Sequence, residues 1–125
     1  MFYVLISGKR DFENYNQFCK ILDESLKDIS DDIVIVEGGA RGTDALAKHY
    51  ANTHGIQCQE FPALWAANGR AAGPIRNSEM VKFVSSKDSK AIFFWDGKSK
   101  GTDDCLKKAK KAGIVCEVYL VDNGG

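Results

Sequence analysis

Five short strand-like runs alternate along this chain with stretches whose apolar residues recur at helical spacing, and that alternation most constrains the fold. The runs fall at residues 2–6, 33–36, 57–61, 91–95 and 115–121. Those at 2–6, 33–36 and 91–95 are continuously apolar, as in strands covered on both faces. Between the first two, Phe12, Tyr15, Phe18, Cys19, Leu22, Leu26 and Ile29 step by threes and fours, which predicts a helix face. Residues 43–54 suit a second helix, with Leu46 and Tyr50 inward and Gly55 as its stop. Residues 62–73 read as a loop, and Pro74 suits the first turn of a helix that buries Met80, Val81 and Val84. Cys105, Leu106, Ala109 and Ala112 mark the last helix, closed by Gly113, and residues 122–125 form a polar tail expected to fray.

Strand–helix alternation at this spacing predicts an α/β, Rossmann-like three-layer sandwich with a mainly parallel five-stranded sheet. With 125 residues the chain reads as one domain, residues 1–125. The 17 cationic and 17 acidic side chains cancel, which disfavours a protein that grips nucleic acid by bulk phosphate neutralisation. The cancellation hides a balance of −4 over residues 1–62 and +4 over residues 63–125. No apolar run approaches the roughly 20 residues of a membrane span. The N-terminus reverses the order of a secretory signal, so a cytoplasmic location is expected. Cys19, Cys58, Cys105 and Cys116 form no CxxC pair and read as reduced thiols in apolar patterns, and no spacing calls for a metal or another cofactor.

Open parallel sheets bind ligands outside the carboxyl ends of their strands. Three of the five strand ends carry glycine, a hydroxyl and a cation. They are Ser7-Gly8-Lys9-Arg10, Gly38-Gly39-Ala40-Arg41-Gly42-Thr43-Asp44, and the segment from Gly97 to Gly101-Thr102. Glycine lets backbone N–H groups approach an anion, and helix N-termini add positive partial charge. One such turn is usually only a tight turn, but its repetition predicts a phosphate or diphosphate site. Neither the dinucleotide fingerprint nor a P-loop is present.

Gly73-Pro74-Ile75-Arg76-Asn77 opens a helix with an arginine, which opposes the helix dipole. Arg76 therefore reads as a fork for a carboxylate or phosphate, or as half of an ion pair with Glu79 or Asp44. Trp65 reads as a base-stacking platform or as a plug between helices. His49 and His54 read as solvated or capping residues, and the lysines at 107, 108, 110 and 111 as a solvated face.

The strings Gly38-Gly39-Ala40-Arg41-Gly42-Thr43-Asp44, Gly73-Pro74-x-Arg76-Asn77-x-x-Met80 and Gly101-Thr102 resemble the SLOG superfamily. They look most like its small YspA-like members, found in bacterial and phage genomes. The resemblance implies a Rossmann-like domain that binds a nucleotide or nucleotide-derived molecule, such as an ADP-ribose derivative, as a sensor or sequestering protein. It also implies a homodimer or higher assembly. Two relatives supply alternatives. The DNA-processing protein Smf/DprA shares the Gly-Ala-Arg-Gly-x-Asp string. The LOG phosphoribohydrolases cleave N-glycosides with an arginine in R-K-x-x-M and a glutamate in G-G-x-G-T-x-x-E. Arg76 and Met80 match the first LOG motif, but the glutamate position falls on Cys105. Asp103, Asp104 and Glu79 are the remaining carboxylates that such chemistry could use.

Overall fold

The strand-like runs assemble into a parallel sheet in the structure, a computed structural model that describes residues 1–121. The strands are β1 (Phe2–Gly8), β2 (Ile33–Glu37), β3 (Gln57–Glu60), β4 (Ser89–Trp95) and β5 (Val115–Leu120). Their order is β3-β2-β1-β4-β5, and every neighbouring pair is parallel. The helices are α1 (Tyr15–Leu26), α2 (Thr43–Thr53), α3 (Trp65–Asn68), α4 (Ala72–Ser85) and α5 (Lys100–Lys111). The residue 122–125 tail lies outside the described residues.

Alternate side chains of the central strands serve opposite faces, as the pleat requires. Val4, Ile6, Ile35, Ile92 and Phe94 meet Phe18, Leu22 and Leu26 of α1 and Ala47, Tyr50 and Ala51 of α2. Leu5, Val36, Ala91 and Phe93 meet Met80, Val81 and Val84 of α4 and Cys105, Leu106 and Ala109 of α5. Three layers result, with α1, α2, α4 and α5 each buried along one stripe. Phe12 precedes α1 rather than belonging to it; Asn14 caps the helix by accepting from the Gln17 N–H at 3.1 Å. Phe12 still reaches the core, stacked on Phe94 with ring centroids 5.7 Å apart.

One expectation needs correction. Residues 62–73 are not a continuous loop: α3 and a 3₁₀ turn (Gly69–Ala71) lead directly into α4, which begins at Ala72. The segment lacks an apolar stripe because four helical residues are too few to show a period. Pro74 sits in the first turn of α4, where its missing N–H leaves no bond unmade.

The chain runs outward from β1 to β3, then crosses back to place β4 on the other side of β1. Strand order therefore reverses between β1 and β4. Their carboxyl ends, Gly8 and Trp95, flank the crevice where such sheets hold ligands.

Candidate ligand site

A cavity of about 460 Å³ opens at this switch point. Ser7, Gly8, Lys9 and Arg10 line it from the end of β1, Ala40, Arg41 and Asp44 from the β2–α2 turn, Arg76 and Asn77 from α4, and Gly101 and Thr102 from α5. Two further chambers adjoin it, of about 380 and 370 Å³. Arg10 and Arg76 border all three.

Absent side chains shape the floor. A Cβ on Gly8 would strike the Phe94 carbonyl and come within 2.7 Å of the Thr43 hydroxyl. Gly42, with φ +72° and ψ −124°, takes a conformation essentially reserved for glycine, and a Cβ there would strike the Arg10 backbone. This close approach lets both the amide and the hydroxyl of Thr43 donate to the Lys9 carbonyl, at 3.0 and 2.9 Å. The β1 loop is thereby fastened to the N-terminus of α2.

Arg76 is held without a carboxylate partner. Its Nη1 donates to the Gly38 carbonyl at 2.6 Å and its Nε to Asn77 Oδ1 at 3.0 Å. Asn77 in turn donates to the Gly101 carbonyl at 3.2 Å and to Asp104 at 3.1 Å, which ties α4 to α5. Neither Glu79 nor Asp44 forms an ion pair with Arg76 among the described residues. Arg10, Arg41 and Arg76 all lack a carboxylate within ion-pairing distance there, whereas Lys9 lies 3.6 Å from Asp11 and 3.7 Å from Asp96.

The β2–α2 turn differs from a bare anion nest. The Gly39 N–H donates to Glu37 at 2.6 Å, and the Ala40 N–H donates to Asp44 at 3.2 Å. Two buried carboxyls thus occupy amides that the glycine-rich string alone suggests are open. Burial pushes Glu37 up to about 7 and Asp44 up to about 6. The Gly39 amide opposes the first shift; the Ala40 and Gly38 amides, with Arg76 and Arg10, oppose the second. The β4–α5 loop is ordered by Asp96, which accepts from the Lys98 and Ser99 amides at 2.8 Å each and lies well below the usual carboxylate range, at about 2. Amides without an intrahelical acceptor remain in the first turn of α5, where Gly101 and Thr102 border the cavity.

These shifts fix a pH dependence. Both buried carboxyls bind protons more tightly in the fold than in the unfolded chain, so ionising them destabilises the fold between about pH 4 and pH 7. Asp96 acts oppositely, but its contribution is lost only below about pH 4. The melting temperature is therefore expected to fall by several degrees from pH 5 to pH 7.5, and Glu37→Gln to flatten that slope. A flat or rising melting curve over this interval contradicts the assignment.

Of the other residues expected at the site, Gly38, Gly39 and Trp65 border the 380 Å³ chamber, and Gly73 and Pro74 the 370 Å³ chamber. Gly42, Thr43 and Gly97 border none of the three chambers; they shape the turns beneath. Asp103 pairs with Lys107 at 2.9 Å, and exposed Glu79 lines no chamber. Asp104 borders the 370 Å³ chamber but is tied to Asn77 and, at 2.9 Å, to Lys108. Cys105 is fully buried, and desolvation pushes its thiol up to about 12. Ser99, within the glycine-bearing segment after β4, and Asp11 also line the main cavity; no motif singles out Asp11, an ordinary polar loop residue in the sequence. His54 caps α2, its backbone N–H donating to the Tyr50 carbonyl at 3.0 Å, and His49 lies against Tyr15. No helix among the described residues is long and apolar enough to cross a membrane.

An all-parallel sheet with a cationic, glycine-floored cavity at its switch point places the chain among the small Rossmann-like α/β folds. Residues 2–67 match the family described as "YspA, cpYpsA-related SLOG family". Gene 61 protein of Mycobacterium phage D29 is 35% identical over 118 residues, covering 89% of this chain and 90% of that protein. The chain belongs to this SLOG family.

Proposed function

We propose that the chain binds a phosphate-bearing, nucleotide-derived small molecule, of which an ADP-ribose derivative is one form, and holds it intact as a sensor or sequestering protein. The observation that carries this reading is the position of Arg10 and Arg76. Both line all three chambers, and neither forms an ion pair with a carboxylate among the described residues. Among the described residues, Nη2 of Arg76 has no acceptor, so the guanidinium keeps an edge for an incoming oxyanion. The first turn of α5 adds backbone donors and positive partial charge. Family membership supports a nucleotide-related ligand.

Cleavage of an N-glycoside is the second reading. It needs a carboxylate beside the sugar to stabilise positive charge or activate water. At the position where LOG enzymes carry glutamate, this chain has a buried, protonated thiol. That leaves Asp104, already engaged by Asn77 and Lys108. A DprA-like nucleic-acid role is weaker still, since Lys107 and Lys108 are paired within their own helix. A homo-oligomer has a physical opening at the sheet edge, where Val115 and Leu120 of β5 are 66% and 73% exposed. A cytoplasmic location fits a nucleotide-derived ligand.

A panel of AMP, ADP, ADP-ribose and NAD, read by thermal shift and by chromatography of the recovered ligand, tests the proposal. Stabilisation with intact ligand is expected. Released base or ribose phosphate overturns the non-hydrolytic reading, and no stabilisation by any member overturns the site itself.

A further inference from the structure

Trp65 is 49% exposed and belongs to neither core cluster, so it is not a plug between helices. It opens the short α3 and borders both side chambers. The Arg10 guanidinium carbon lies 5.3 Å from its ring centroid. On another side the indole lies against Gly73, where a Cβ would sit at an ordinary contact distance of 3.5 Å from Cη2. The small residues Gly38, Gly39 and Ala40 line the same 380 Å³ chamber as the indole. Pro62 and Ala63 complete an apolar rim. The indole N–H has no acceptor among the described residues. The result is a slot that combines an exposed aromatic side chain with small residues and the Arg76 side chain, which packs directly over Gly38.

This slot is continuous with the anion cavity through Arg10, Arg41 and Arg76. A molecule with a charged end in the main cavity would therefore place its other end against the indole. Arg10 couples the two, because it borders the anion cavity and faces the ring as a cation. Exposed indole surface is unfavourable in water, and a planar ring laid on it removes that surface while keeping polar edges accessible.

We propose that the chamber between Trp65 and the Gly38–Ala40 turn receives the planar base of the ligand, so that Trp65 selects ring-bearing nucleotides over sugar phosphates. This rests on the anion-site reading above, and the two can fail separately.

The test compares AMP with ribose 5-phosphate by calorimetry on the wild type, Trp65→Ala and Trp65→Phe. AMP is expected to bind the wild type more tightly than ribose 5-phosphate does. Trp65→Ala is expected to weaken AMP by about tenfold, within the range for base–aromatic stacking, and to leave ribose 5-phosphate within about twofold. Trp65→Phe is expected to recover most of the AMP affinity. AMP is also expected to quench tryptophan emission in the wild type but not in Trp65→Phe, where Trp95 remains with its indole N–H bonded to the Ser99 carbonyl at 3.0 Å. Equal affinity for the two compounds, or an AMP affinity indifferent to Trp65→Ala, overturns the base slot while leaving the anion site standing. Binding of neither compound to the wild type overturns both.

Discussion

Arg76→Ala is expected to reduce affinity for a nucleotide ligand by about 100-fold while leaving the fold intact. Charge-assisted hydrogen bonds contribute about 1.5–3 kcal/mol each, and a guanidinium can supply two to one oxyanion. The residue is preorganised, because Gly38 and Asn77 hold two of its donors before any ligand arrives. The same bonds make the cost to stability small, since the Gly38 carbonyl and the Asn77 amide lie beside an open cavity that water can enter. Arg76→Lys is expected to recover only part of the affinity, because an ammonium cannot reach Gly38, Asn77 and a ligand from one planar fork. Calorimetry with a stabilising member of the nucleotide panel checks both variants. An Arg76→Ala protein that binds as tightly as wild type removes this residue from the site.

The second large effect lies in the scaffold. Gly42→Ala is expected to destabilise the protein by about 2–4 kcal/mol and to weaken ligand binding in the fraction that remains folded. One part of the cost is backbone strain at φ +72° and ψ −124°. The other is the collision of the new Cβ with the Arg10 backbone, which must move. Movement there breaks the paired donation of Thr43 to the Lys9 carbonyl and displaces Arg10 itself. Denaturant unfolding measures the first consequence and calorimetry the second. A Gly42→Ala protein of unchanged stability contradicts the described turn.

The sheet was legible because its signals are local and repeated. Apolar runs such as residues 91–95 can be satisfied only inside a covered sheet, and glycine followed by a hydroxyl marks where each run stops. The convergence of Arg10 and Arg41 was legible for the same reason, since in a βα repeat residues just after strands come to one edge; Arg76 reaches that edge from within α4 instead. The hydrogen bonds inside the site were not. That Glu37 and Asp44 take the Gly39 and Ala40 amides depends on side chains folding back across the turn, and periodicity carries nothing about that. The helical turns within residues 65–71 were hidden because they are too short to repeat a pattern. Asn77 lines the cavity, and its structural bonds to Gly101 and Asp104 cross between two helices and depend on the angle at which these pack.

The paired charges of the whole chain say little beside these few positions. Each buried carboxyl at the site is matched to a backbone amide, and the three arginines that line the cavity form no ion pair among the described residues. The assignment of the site rests on that division. Amide spectra recorded during titration with ADP-ribose test it most directly. Shifts confined to Ser7–Arg10, Gly38–Asp44, Trp65, Arg76–Asn77 and Gly101–Thr102 are expected. Shifts centred on α1 or β5 instead, or none at saturating concentration, would contradict it.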